Sequence, residues 1–252
     1  ATRFHVIAPD LLGFGASDLP DEDVYMEDQA RAIGALLAAL GIRSLYVAGH
    51  DFGGPVAMTL LRLLPDLEVH GVVLSSTNMF TDTPVPWPLR AAGVPVVGTL
   101  VYWLMAGSRF GLWMTYCMAV ARKRDLPWRV FGRDVDARAL RMTQRVFQRS
   151  LADLPAHYHA VEQQLRRTQA PGLVLWGDRD PFFPLSVGRR TASSMPRAVF
   201  EVLEGIGHFG PQEHPGAYAC AILRRFAVAA DPPDELDATK PHQAGTLGDV
   251  VD

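Results

Sequence analysis

Cysteine is scarce in this chain of 252 residues: Cys117 and Cys220 are the only two, far apart, and neither belongs to a CxxC or histidine-rich cluster. That excludes a disulfide-stapled scaffold and a cysteine-based metal site, and both thiols are expected to be free and buried. An excess of charge of one sign is also missing. A formal net charge of -3 gives no global attraction for nucleic acid or an acidic membrane, so a small molecule is the expected partner. No cofactor and no metal are implied, and the oligomeric state is left open. There is no visible secretory leader, because Ala1-Thr2-Arg3-Phe4 runs straight into a strand-like segment; the cytoplasm is the expected location. Solenoid-type repeats are absent as well.

Charge is locally missing from Ala91 to Ser108, a run long enough to raise the question of a membrane span. Gly93, Pro95, Gly98 and Gly107 interrupt a continuous helix there. The run is read as a buried or cavity-lining segment, with no stable membrane insertion.

What is present is a sequence that is 48% hydrophobic and 20% charged, enough to bury a substantial core. Short apolar runs alternate with helical ones, the signature of an α/β fold with a mostly parallel sheet covered on both faces. Phe4 to Ala8 reads as a buried strand. Ile33, Leu36, Leu37 and Leu40 recur at helical spacing, predicting a helix over 26–40 closed by Gly41. A strand at Ser44 to Ala48, a helix at Val56 to Leu64 and a strand at Gly71 to Ser75 follow. From 78 to 167 the strand rhythm stops and aromatics accumulate, predicting an inserted helical subdomain between two parts of the α/β core, 1–77 and 168–230. The second part holds a strand at Gly172 to Trp176, a helix over 185–194, a strand at Val199 to Leu203 and a helix over 214–228. The composition of 231–252 predicts a disordered tail.

The chemistry-bearing segment is Gly49-His50-Asp51-Phe52-Gly53-Gly54, between a predicted strand and a predicted helix. That context suits a nucleophile elbow: a tight turn strains the backbone at its apex, and flanking glycines let the neighbouring chain pass. The following helix points its N-terminal amides at the apex and favours a negative charge there. The competing reading of Asp51 is a plain helix cap. Two later acids and a histidine bear on the choice. Asp178 and Asp180 follow the strand at 172–176, and His208 follows the strand at 199–203. The order nucleophile, acid, histidine at strand C-termini is that of elbow-bearing hydrolases. His214 reads as a surface or capping residue, and His50 as a structural neighbour of the nucleophile.

Through VIAPDLLGFGASD, GHDFGG, LWGDRDPFFP and GIGHFGPQEHP, over residues 3–228, the sequence resembles the α/β-hydrolase superfamily. Aspartate in GHDFGG makes it similar to the epoxide hydrolase and haloalkane dehalogenase branch. The resemblance implies the α/β-hydrolase fold with a helical cap, Asp51 as nucleophile, Asp180 as the acid and His208 as the base. Asp82 is the minor alternative for the acid. Asp51 would form an ester at a saturated carbon, and His208 would activate the water that hydrolyses it. Relatives that open epoxides use cap tyrosines as proton donors; Tyr102 falls near the expected place, with Tyr116 and Tyr158 as substitutes. Relatives that expel halide usually carry Trp after the nucleophile, where this chain has Phe52; Trp103 remains as an indole donor. The expected reaction is therefore epoxide opening, with a haloalkane dehalogenase or another hydrolase acting on a small apolar substrate as the alternative. Phe52, Tyr102, Trp103, Tyr116 and Tyr158 are the expected substrate-binding residues. Arg138, Arg141, Arg145 and Arg149 form a basic stripe read as a solvated helix face.

The resemblance also implies an earlier strand and a His-Gly-x-Pro segment that these 252 residues do not contain. Relatives place a strand between those corresponding to 4–8 and 44–48, so either these two strands close up or buried backbone groups go unpaired. A non-catalytic ligand-binding protein on a hydrolase scaffold is the competing class of function.

Overall fold

The computed structural model describes residues 4–18, 20–21, 24–83, 100, 104, 108–121 and 156–226. The order of elements is α1 (Met26–Ala39), β1 (Ser44–His50), α2 (Gly53–Leu63), β2 (Glu68–Ser75), α3 (Arg109–Ala119), α4 (156–167), β3 (Gly172–Gly177), α5 (Leu185–Ser194), β4 (Ala198–Leu203), α6 (Gly210–Glu213) and α7 (Pro215–Phe226).

The four strands form a parallel sheet in the order β1-β2-β3-β4. In a sheet built in one direction by right-handed crossovers, the connecting helices must lie on one face. Side-chain alternation shows that they do. Val72, Leu74, Val174 and Trp176 point to one face, where α1, α2 and α5 pack through Ala30, Leu37, Val56, Leu60, Leu61 and Val187. Val73, Leu173 and Leu175 point to the other face, which α7 covers with Tyr218 and Ala221. Every residue of β3 is buried, as expected for a strand with helices on both sides. Fully burying a side chain such as Met58, Leu74 or Leu175 stabilises the fold by about 1.5–3 kcal/mol.

Local signals explain where the helices begin and end. α1 opens with Glu27 and Asp28, and the Asp28 carboxylate accepts from the Tyr25 amide at 2.9 Å. It closes at Gly41, whose φ of 67° only glycine takes without strain. α2 is almost wholly buried between α1 and the sheet, and its sequence GGPVAMTLLRL carries a single charge, Arg62, in the last turn.

Two expectations are corrected. Phe4 to Ala8 forms no strand: the segment has no regular structure and is largely exposed, with Val6 at 67%. Its apolar run has the composition of a strand but no partner, since β1 pairs with β2 alone among the described strands. The two segments therefore do not close up. The cysteines are free, as expected, but neither is buried: Cys117 is half-buried and Cys220 exposed. Tyr102, Trp103, the four stripe arginines and the 231–252 tail lie outside the described residues.

Candidate active site

β1 delivers the chain into a turn so close that a Cβ on Gly49 would lie 2.5 Å from the Gly53 carbonyl oxygen. One on Gly54 would lie 2.2 Å from the Thr77 hydroxyl. At the apex Asp51 has φ 47°, a left-handed backbone that an ordinary L-residue adopts at a cost. Three hydrogen bonds hold it there. The Asp51 amide donates to the Ser75 carbonyl at 3.1 Å, the Thr77 hydroxyl donates to the Asp51 carbonyl at 2.6 Å, and the Gly54 amide donates to the same oxygen at 3.1 Å. The N-cap residue of α2 is Phe52, so Asp51 does not occupy the capping position. Its carboxylate is partly open to solvent and stands 3.6 Å, Oδ1 to Nε2, from His208.

Behind the imidazole sits Asp180. Its Oδ2 lies 3.1 Å from His208 Nδ1, and its Oδ1 accepts from the amides of Phe182 at 2.9 Å and Phe183 at 3.1 Å. An ionised carboxylate only accepts, so Nδ1 carries the proton and Nε2 faces Asp51. Burial works against the Asp180 charge, but the His208 contact and the two amides outweigh it and hold the carboxyl below its ordinary value. Burial also opposes charge on His208. The hydrogen bond to Asp180 and the negative charges of Asp51, Asp180 and Glu213 override it and raise the imidazole above its ordinary value.

The rings of Phe182, Phe183, Phe209 and His50 surround His208, with centroids 4.9 to 5.6 Å away. Its backbone is fixed at both ends. The His208 amide donates to the Ala119 carbonyl at 2.8 Å, and His50 Nε2 lies 2.8 Å from the His208 carbonyl. A carbonyl donates nothing, so His50 holds its proton on Nε2. Burial and the neighbouring His208 lower the His50 pKa, keeping that ring neutral.

The remaining predicted residues fall at different distances from this centre. Tyr158, on α4, is half-buried and packs against the same core as Phe52. Burial, and then the charge of Asp51, drive its phenol far above its ordinary value, so it stays a proton-bearing group within reach of the Asp51 field. Tyr116 stacks on Phe209 with centroids 5.0 Å apart. Phe52 packs beside Val24, Leu12 and Phe14. Of the competing acids, Asp178 accepts from the amides of Gly205 and Ile206 and so holds the turn, while Asp82 is exposed and paired with Arg190 at 2.6 Å. His214 is exposed, as read from the sequence. Among the described residues, no group of three or more His, Cys, Asp or Glu side chains is placed to hold a metal ion.

Sequence reasoning missed Thr77 and Glu213. Glu213 Oε2 accepts from the amides of Ala121 at 2.8 Å and Gly207 at 3.2 Å, tying the chain after α3 to the loop of His208. The spacing of Glu213 from His208 was visible, but nothing in the sequence announced a partner at residue 121.

An acid–imidazole–acid array at the C-terminal ends of parallel strands, fed by a strained strand-to-helix turn, defines a hydrolase of the α/β class. The family model described as "alpha/beta hydrolase fold" matches residues 1–215, and the chain belongs to that family. It is 29% identical to haloalkane dehalogenase 2 of Mycobacterium tuberculosis, over 89% of this chain and 79% of the relative. It is 27% identical to the 2-hydroxy-6-oxononadienedioate/2-hydroxy-6-oxononatrienedioate hydrolase of Paraburkholderia xenovorans, over 85% of this chain and 73% of the relative. The solved haloalkane dehalogenase DbeA of Bradyrhizobium elkani superposes with a TM-score of 0.73 at 21% identity, covering 87% of this chain and 79% of that one, a likeness of fold.

Proposed function

We propose that the protein hydrolyses a small, apolar electrophile through an ester on Asp51, and that the electrophile is an epoxide opened to a diol. The observation that carries the proposal is Asp51 at the strained apex, facing Nε2 of a His208 that Asp180 holds from behind. A carboxylate suits attack at saturated carbon because it is ionised without help from a base, whereas serine would need one.

In the first step an Asp51 oxygen bonds to the epoxide carbon and the carbon–oxygen bond opens. The emerging alkoxide takes the Tyr158 phenol proton, leaving a phenolate. In the second step His208 Nε2 removes a proton from water, whose oxygen adds to the Asp51 carboxyl carbon. Collapse of that adduct releases the second alkoxide, which His208 protonates, and the remaining acid proton of Asp51 restores Tyr158. The amide of Phe52, at the N-terminus of α2, is the oxyanion donor on this chain. The 78–167 segment would act as the cap, with Tyr116 and Tyr158 as candidate substrate contacts on its described part and Tyr102 and Trp103 as the candidates that the resemblance implies.

Phe52 and Tyr158 favour epoxide over halide: the residue after the nucleophile has no side-chain N–H for a leaving halide, whereas a protonated phenol lies within the Asp51 field. The 29% identity to a haloalkane dehalogenase favours the second reading, halide displacement. Parallel panels of terminal epoxides and of chloro- and bromoalkanes separate the two. Diol formation that Tyr158→Phe slows about 10²-fold or more supports the epoxide reading, within the usual contribution of a general acid. Halide release with no diol would replace it by the dehalogenase reading.

A further inference from the structure

His208 is held by its backbone as well as by Asp180, and the two backbone anchors belong to different parts of the chain. Its carbonyl lies 2.8 Å from His50 Nε2, at the end of β1 in the core. Its amide donates at 2.8 Å to the carbonyl of Ala119, the last residue of α3, in the segment proposed as the cap. Glu213 closes the same junction from the other side, because its Oε2 accepts from the amides of both Ala121 and Gly207. Tyr116, about one turn back on α3, adds the stack on Phe209.

The fit leaves no slack at Gly207. A Cβ there would lie 2.4 Å from the Ala119 carbonyl oxygen, 2.7 Å from the Ala121 nitrogen and 2.8 Å from Glu213 Oε1. Two of those three neighbours are backbone atoms, which cannot swing aside as a side chain would. Gly207 is not among the glycines at positive φ, so its missing side chain serves close approach and not a turn. Glu213 Oε1 is buried with no hydrogen-bond partner. A carboxylate oxygen left unsatisfied is costly, and what the side chain secures in return is the bridge made by Oε2 between two distant segments.

We infer that the end of α3 sets the position of the base: the 119–121 backbone is the rest for the His208 loop, Glu213 is the positioning residue that clamps it, and His208 is aligned on Asp51 only while α3 is docked. The link is short, since the residue whose amide bonds α3 is the one that carries the imidazole. Asp180 fixes the ring at Nδ1, but the 3.6 Å approach of Nε2 to Asp51 depends on where the backbone of His208 stands. A displacement of about 1 Å at a reacting group can cost about 10²-fold in rate. Tyr116, a candidate substrate contact, lies on the same helix as this rest. A substrate that holds α3 down therefore completes the base as well, which makes closure of the cap a condition of ester hydrolysis. The kinetic consequence rests on the proposed roles of Asp51 and His208; the docking of α3 on the loop does not.

Two measurements on the 252-residue chain separate the docking from the chemistry. Without substrate, hydrogen exchange at the amides of Ala121, Gly207 and His208 should report one shared opening, with protection equal to within about threefold. Glu213→Ala should speed exchange at all three about tenfold or more. Glu213→Gln keeps an oxygen for the two amides, so it should retain their protection while lowering the His208 pKa. Gly207→Ala, which wedges the junction without removing a polar group, should act as Glu213→Ala does. With substrate, both Ala variants should slow ester hydrolysis about tenfold or more and leave ester formation unchanged. In that case kcat and KM fall together, kcat/KM holds, and ester mass accumulates on Asp51. Free exchange of Ala121 in the wild-type chain, with Gly207 and His208 still protected, would overturn the inference even if neither Ala variant folds. So would Ala variants that slow both steps equally, the mark of a general loss of packing. Shared exchange with no ester on any variant would support the docking and refute the ester reading alone.

Discussion

Asp180→Asn keeps the shape of the side chain that holds His208 but removes its charge. The expected consequence for hydrolysis is a loss of about 10³- to 10⁴-fold, the scale seen when a triad acid is neutralised. The pH profile gives the sign of the effect independently. The proposed second step needs neutral His208, whose pKa is raised, so the wild-type rate should climb through a limb above the ordinary imidazole value. Removing the Asp180 hydrogen bond and charge should move that limb to lower pH. Glu213→Gln should move it the same way by less, because Glu213 contributes only through its charge, and a ring-proton NMR titration of His208 reads this without substrate. A limb unmoved by either change would mean that these carboxylates do not set the base. Reading the sequence at this scale singled out Asp51, Asp180 and His208 from their types and order, and the structure brings the three together. Thr77, Glu213 and the paired amides of Phe182 and Phe183 were not legible, because their roles are hydrogen bonds made where distant segments meet.

The elbow behaves as an element in its own right, a junction at which β1, α2 and the end of β2 pass within contact distance. Gly49→Ala puts a Cβ 2.5 Å from the backbone of α2, which has no flexible end to yield. The expected cost is about 1–3 kcal/mol of stability, measured by urea unfolding, with activity falling as Asp51 is displaced. The strands and helices of the core were legible to within a few residues because burial on both faces of the sheet writes continuous apolar runs. β2 begins at Glu68 and not at the expected Gly71: Glu68 and His70 are polar and exposed, and pairing with β1 extends the strand beyond its buried part. Phe4 to Ala8 fails for the opposite reason. Its residues favour a strand, but a strand also needs a neighbour to bond, and composition carries no record of one.

Across the whole molecule, stability should depend on pH through the same buried pair. Asp180 has a lowered pKa in the folded state, so its contribution is present above the ordinary Asp value and is lost as pH falls through the folded one. His208 has a raised pKa, so its contribution is full below the ordinary His value and is lost as pH rises through the folded one. The thermal midpoint should therefore peak between the two ordinary values and decline on both sides. Asp180→Asn should flatten that peak. Fold class was the most legible property of all, because the alternation of strand and helix fixes a parallel sheet covered on both faces and the end of it at which chemistry collects.

The central claim is a covalent ester on Asp51, and the most direct measurement is the intact mass of His208→Gln after incubation with epoxide. Removing the base of the second step should leave the first intact. The protein should then gain the mass of one substrate molecule, and peptide mapping should place it on Asp51. An unmodified mass with every epoxide and haloalkane that the wild-type chain consumes, or an adduct on any other residue, would contradict the account.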